Sequence, residues 1–196
     1  MPTVTMIAGP NGSGKSTLYD QLRDGGISFG DYINADEIAR NLSGSRTEIA
    51  RRAQAEVRDK RDKAMQAGRD YCWETVMSHP SHVHHLVKAR SIGYRVRLLY
   101  VALEDPKLNE RRVKERVESG GHAVPSDRIR RRYYRSIDGL ARAIAIAHDG
   151  RIYDNSQRDR PFIEIAAIDE EVMQLRMDWF DLPRWFIPAL VSINAR

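Results

Sequence analysis

A chain of 196 residues is long enough to bury one substantial core and too short to argue for two, so a single domain over residues 1–196 is expected. Hydrophobic residues make up 41% and charged residues 30%, and no apolar run reaches the ~20 residues that a bilayer-spanning helix needs, which excludes that class. The net charge of +5 is regional: residues 107–142 hold 11 basic and 5 acidic side chains, which argues for an anionic ligand handled by one segment and against a general nucleic-acid surface.

In chain order, apolar runs of strand length alternate with longer stretches of helical period. This is the pattern of α/β architecture, a doubly wound parallel sheet of about five strands with helices on both faces. The opening, MPTVTMIAGP, has no charged n-region or cleavage site and passes straight into a strand over Thr3–Ala8, so a cytoplasmic protein is expected. Residues 15–23 follow as a helix that stops at Gly25-Gly26. Tyr32-Ile33-Asn34 reads as a short second strand, and a helix starts at Ala35.

Residues 47–67 place apolar side chains at helical spacing amid dense charge, an amphipathic surface helix closed by Gly68. Asp70-Tyr71-Cys72-Trp73 is a third strand ending at Glu74-Thr75. The lone cysteine, Cys72, falls in this apolar context and reads as core packing. Pro80–Ser91 reads as a helix with proline in its first turn. Residues 95–103 give the clearest strand signal. From Pro106 a helix runs to the Gly120-Gly121 break, another begins at Asp127, and Arg151-Ile152-Tyr153-Asp154 reads as the last core strand. The tail of about residues 167–196, containing MDWFDLPRWFIPAL, is rich in aromatics and proline and is expected to pack on the body of the domain.

Between the first strand and the first helix lies Gly9-Pro10-Asn11-Gly12-Ser13-Gly14-Lys15-Ser16-Thr17, which matches G-x-x-x-x-G-K-[ST] from Gly9 to Ser16 without a mismatch. Glycines let the backbone curl so that successive amides point inward, and the helix adds the positive end of its dipole. Lys15 can reach β and γ phosphates, and Ser16 can place its hydroxyl on Mg²⁺. The dinucleotide fingerprint G-x-G-x-x-G is absent, because Thr17 stands where the third glycine would be. No N-K-x-D base-reading motif of the GTP switches is present, which favours ATP over GTP.

In open parallel sheets ligands bind outside the carboxyl ends of the strands. Asp36 and Glu37 follow the second strand, Glu74 the third and Asp105 the fourth. A kinase needs a carboxylate to accept the acceptor hydroxyl's proton as the γ-phosphoryl moves. Asp36 is the choice, because a second strand commonly neighbours the first and Asn34-Ala35-Asp36 would aim it into the cleft. Its bland reading is a charge that offsets the helix dipole.

Glu74, with Thr75 beside it, reads as orienting the acceptor or holding Mg²⁺ through water. Asp105 before Pro106 reads as a helix cap. Residues 111–135 read as helix, glycine hinge and helix, an arginine-rich lid able to neutralise the transferring phosphoryl and exclude water. Arg116 and Arg132 are the catalytic candidates, followed by Arg112 and Arg131, with His122 as a phosphate contact at the hinge. His79, His82, His84 and His85 cluster, but no acid or cysteine stands at ligand spacing and no metal site is assigned to them.

Taken together, GPNGSGKST, Ile33-Asn34-Ala35-Asp36-Glu37-Ile38-Ala39, Trp73-Glu74-Thr75, RVKERVESGGHAVPSDRIRRRYYRS and Tyr153-Asp154-Asn155-Ser156 resemble the zeta-toxin family of bacterial P-loop kinases, over roughly residues 3–156. The resemblance implies a nucleoside-monophosphate-kinase-like fold and ATP as phosphoryl donor. It also implies a sugar hydroxyl of UDP-N-acetylglucosamine as the small-molecule acceptor, and an antitoxin protein as partner. By it Lys15 holds the phosphates, Asp36 is the base, Glu74 contacts the acceptor, lid arginines steady the transferred group, and Asn155 and Ser156 lie near the adenine. The toxins carry aspartate where this chain has Asn34, one of their lid arginines aligns with His122, and Val76-Met77-Ser78-His79 differs from their substrate loop. Other acceptors (a nucleoside, an antibiotic, a polynucleotide 5′ hydroxyl) and an ATP-binding module without transfer stand as alternatives.

Overall fold

The computed structural model describes residues 1–121 and 123–194. The chain runs β1 (Thr3–Ala8), α1 (Lys15–Asp24), β2 (Asp31–Ile33), α2 (Ala35–Arg40), α3 (Arg46–Gln66), β3 (Tyr71–Thr75) and α4 (Pro80–Ser91). It continues through β4 (Arg95–Ala102), α5 (Pro106–Glu118), α6 (Ser126–Ile144), β5 (Asp149–Asp154), β6 (Ile163–Asp169), β7 (Val172–Leu175) and α7 (Ile187–Asn194). The seven strands form one sheet in the order β2-β3-β1-β4-β5-β6-β7. The first five are parallel, and β6 and β7 add on antiparallel.

Alternation along the central strands sorts side chains onto two faces. Met6, Trp73, Leu98 and Tyr100 join a large core under α3, α4, α6 and α7, while Ile7, Cys72, Leu99 and Val101 join a smaller one under α1. Helix α6 shows the same logic at helical period: Ile129, Tyr133, Ile137, Leu140 and Ile144 are buried, and Arg128, Arg131 and Arg135 face outward. Helix α3 starts on a capping box, Ser45 with Glu48, which satisfies its first free amides.

Two expectations are corrected here. The sheet has seven strands where about five were expected, because residues 163–175, most of them assigned to the tail, fold as a hairpin. Its two-residue turn is Glu170-Glu171, both at positive φ (48° and 68°), a conformation usually signalled by Asn or Gly. The second correction is strand order. β3 lies between β2 and β1, so the second strand is an edge strand and does not neighbour the first. The aromatic tail divides: Trp185 and Phe186 are buried, with Trp185 Nε1 donating to Asp154 Oδ2 at 2.8 Å, whereas Trp179 and Phe180 are exposed.

Candidate active site

The glycine loop leaves the carboxyl end of β1, at the centre of the sheet, and enters α1 at Lys15. Two of its glycines are required by close approach. At Gly9 (φ +142°) a Cβ would stand 1.9 Å from Val101 O, and at Gly14 (φ +103°) one would stand 2.5 Å from Asn155 Nδ2. Three side chains hold the loop from outside. Asn109 Nδ2, from a fully buried position on α5, donates to Asn11 O at 2.7 Å. Asn155 Nδ2, just past β5, donates to Ser13 O at 2.8 Å, and Arg112 Nη2 donates in turn to Asn155 O at 2.8 Å.

A cleft of about 500 Å³ opens against the loop, with Gly14, Thr17, Arg116, Asn155 and Phe162 among its walls. Lys15 is 7% exposed, and its ammonium donates to Pro10 O at 3.0 Å and lies 3.8 Å from Glu74 Oε1. Burial lowers its pKa, the Glu74 and Asp36 carboxylates oppose that shift, and Arg116 adds to it. Arg116 therefore bears on the same cleft.

Register pairs Glu74 on β3 with Ile7 on β1, which sets its carboxylate beside the loop. Three donors converge on its Oε2: Ser16 Oγ at 2.8 Å, Tyr32 OH at 3.0 Å and Asn34 Nδ2 at 3.2 Å. Asn34 Nδ2 also donates to Tyr32 OH at 2.9 Å, and the Tyr32 ring lies flat on Tyr19 with centroids 3.7 Å apart. Burial, then the Glu74 charge, raises the Tyr32 phenol pKa, so it stays a neutral donor.

Asp36 sits in the first turn of α2, exposed, with its amide donating to Asn34 Oδ1 at 2.8 Å; Asn34 is the cap of that helix. The Asp36 carboxylate acts on Lys15 and on Arg132. Arg132 is half-buried on α6, and burial, then Arg128 and Arg131, lowers its pKa while Asp36 opposes. The structure thus brings Lys15, Ser16, Asn34, Glu74, Arg116, Asp36 and Arg132 toward one end of the sheet. It does not bring all the candidates there.

Arg131 is exposed and forms an ion pair with Asp127, at 4.0 Å on its own helix. Thr75 Oγ1 is engaged by Met77 N at 3.1 Å, and Ser156 is turned to Asp154 and to the Glu104 amide. Asp105 caps α5 through Lys107 N at 2.8 Å, as expected. His122 lies outside the described residues.

Sequence reasoning did not single out Tyr32, Asn109 or Phe162. The signal for Asn109 was a polar residue on the buried face of an amphipathic helix. Tyr32 had no local signal, because its role depends on a partner 42 residues away.

A hard cation fits this donor set. Ser16 is exposed beside Glu74, and among the described residues no three His, Cys, Asp or Glu side chains gather as a dedicated cage, so one hydroxyl, one carboxylate and a nucleotide's own phosphates would supply the oxygens. Among the described residues no helix is long and apolar enough to cross a membrane.

The sequence model of the family described as AAA domain matches residues 4–136. An uncharacterized protein of Haemophilus influenzae is 29% identical over 126 residues, 64% of this chain and 88% of that protein. Among solved structures, a chain of the AvrRxo1-ORF1:-ORF2 structure with ATP superposes with a TM-score of 0.68 at 13% identity, over 99% of this chain and 64% of that one. This chain therefore spans less than two thirds of that relative's length. A chain from the PezAT chromosomal toxin-antitoxin system of Streptococcus pneumoniae gives a TM-score of 0.59 at 15% identity, over 100% of this chain and 88% of that one. At such identities the likeness is one of fold, and the fold is that of the P-loop kinases.

Proposed function

The chain belongs to the AAA domain family, and on that premise we propose that it is an ATP- and Mg²⁺-dependent kinase that transfers the γ-phosphoryl group to a small-molecule hydroxyl. The observation that carries this reading is the Ser16 hydroxyl donating to Glu74 at 2.8 Å with the Lys15 ammonium 3.8 Å from the same carboxylate. That is a phosphate cradle with a hydroxyl for a metal and an acid to orient it. A structural glycine turn needs neither group.

In this reading the loop amides and Lys15 hold the β and γ phosphates of ATP, and Lys15 exchanges Pro10 O for phosphate oxygens. Mg²⁺, when bound, neutralises charge on those phosphates. Ser16 would present a lone pair to the cation while its hydroxyl proton remains hydrogen-bonded to Glu74. Asp36 takes the proton of the acceptor hydroxyl as its oxygen bonds to the γ phosphorus and the bond to the β–γ bridging oxygen breaks, releasing ADP. Arg116 and Arg132 counter the charge spread over the equatorial oxygens, with Arg112 and Arg131 as further lid arginines and His122 as a phosphate contact.

Asn155 lines the nucleotide cleft beside Phe162, which supplies an aromatic wall for a base. The acceptor we favour is a nucleotide sugar such as UDP-N-acetylglucosamine, and the partner is an antitoxin protein. One of the similar structures comes from a toxin-antitoxin system and another pairs two open-reading-frame products, which supports that reading. A single kinase domain working in the cytoplasm completes it.

The test is incubation of the purified chain with ATP, Mg²⁺ and UDP-N-acetylglucosamine, read by mass spectrometry. A phosphorylated sugar nucleotide is expected from the wild type and none from Asp36→Asn. ADP formed only with a different acceptor would keep the kinase and replace the substrate.

A further inference from the structure

The last residue of β5, Asp154, is a carboxylate only 6% exposed. Its Oδ1 accepts from Ser156 N at 2.9 Å, and its Oδ2 accepts from Ser156 Oγ at 3.0 Å and from Trp185 Nε1 at 2.8 Å. Trp185 is itself buried and belongs to the tail, 31 residues further along the chain. The residue before it repeats the grip: Arg184 N donates to Glu104 Oε1 at 3.3 Å, and Glu104 N donates to Ser156 Oγ at 2.8 Å. Two consecutive tail residues thus bear on the same turn after β5.

A carboxylate withdrawn from water is costly unless donors surround it, and an apolar side chain of like size would pack the end of a strand as well. The charge is explained by what it orders. Asn155, the next residue, donates its N–H to Ala102 O at 2.9 Å, which ties the turn to β4. Its side-chain amide is engaged at both ends: Nδ2 donates to Ser13 O at 2.8 Å, and Oδ1 accepts from Phe162 N at 3.3 Å. Phe162 stands at φ 54°, a left-handed conformation uncommon for an aromatic residue, and its ring would lie 3.4 Å from a Cβ added at Gly14. One amide therefore sets both the phosphate loop and the aromatic wall of the cleft.

We propose that the carboxyl-terminal tail is a working part of the nucleotide cleft, with Trp185 as a positioning residue that acts through Asp154 and Asn155 on the phosphate loop and on the Phe162 ring. Trp185 does not itself line the cleft. With the indole in place, both oxygens of Asp154 are held and the turn over residues 154–156 has one setting. Without it Oδ2 keeps Ser156 Oγ, the turn loosens, and the loop and the ring lose their shared anchor. The inference rests on the reading of this cleft as a nucleotide site and concerns the donor half of the reaction.

Calorimetry of Mg·ATP binding to the full chain tests this, at a temperature where every variant is folded. Trp185→Phe should weaken binding about tenfold, the loss expected of one hydrogen bond to a charged group. The same substitution in the Asn155→Ala background should weaken it no further, because the route through Asn155 is already cut. Phe186→Leu, at the neighbouring buried position of the tail, lowers stability by a loss of packing and should bind Mg·ATP as the wild type does. Unchanged affinity in Trp185→Phe alongside lower stability is the mark of packing alone and would overturn the proposal. An equal loss of affinity in both backgrounds would overturn it too.

A wild type that takes up no Mg·ATP would remove the nucleotide reading and leave the positioning role to amide hydrogen exchange. Trp185→Phe should then speed exchange across residues 9–17 about tenfold relative to Phe186→Leu, and equal exchange in the two would overturn the role. Should Trp185→Phe not fold, Asp154→Asn, which keeps the size of the side chain, is measured in the same two backgrounds with the same expected and contrary results.

Discussion

Asn155 donates from Nδ2 to the Ser13 carbonyl at 2.8 Å, joining the end of β5 to the middle of a loop 142 residues earlier in the chain. The phosphate loop is thus held by the far side of the sheet as well as by its own helix. Asn155→Ala leaves a buried carbonyl without its donor, at a cost of about 1–3 kcal/mol. Urea unfolding should register that loss, and ATP affinity should fall with it. Gly14→Ala is expected to be worse, since its added methyl group meets the Asn155 amide at 2.5 Å.

Tyr32→Phe keeps the stack on Tyr19 and deletes one of three donors to Glu74 Oε2. A hydrogen bond to a charged group contributes about 1.5 kcal/mol, or roughly tenfold in rate if it matters at the transition state. We expect a tenfold fall in turnover and a higher Mg²⁺ requirement, with ATP affinity little changed. A magnesium titration of initial rates measures both. Unaltered rates would mean that Ser16 and Asn34 suffice to orient the carboxylate.

Trp185→Phe removes the indole donor to buried Asp154 Oδ2. The ring volume lost and the carboxylate left short of a partner should together lower stability by about 2 kcal/mol in denaturant. Asp154 keeps Ser156, so the chain should still fold.

Burial lowers the pKa of His85 to about 3 and that of His82 to about 4, from 6.5. Below pH 6.5 the unfolded chain takes up protons that the folded chain refuses. Their contribution to stability is therefore complete above about pH 6.5 and is lost as the pH falls toward 4, at up to ~1.4 kcal/mol per pH unit for each histidine. Urea midpoints between pH 7 and pH 5 should fall steeply for the wild type and less so for His85→Gln.

The phosphate loop, helices α1 to α6 and the five parallel strands were legible because periodicity and glycine placement are local properties. Pro80–Ser91 matches its expected bounds, and Asp105 caps α5 as its place before proline suggested. What was not legible depends on neighbours. Strand order is tertiary, so the three-residue β2 gave no sign that β3 would slip between it and β1 and put Glu74 closest to Lys15. The β6–β7 hairpin was hidden because Glu170 and Glu171 turn with positive φ where glycine or asparagine would have announced it. Tyr32 and Asn109 act on the site through partners 42 and 98 residues distant, beyond any motif's reach.

The central claim, that this loop grips a magnesium nucleotide through Lys15, is tested most directly by isothermal calorimetry of Mg·ATP binding to the wild type and to Lys15→Ala. One saturable site in the wild type, weakened at least a hundredfold in the variant, is the result the account predicts. No uptake by the folded wild type, or equal uptake by both, would contradict it.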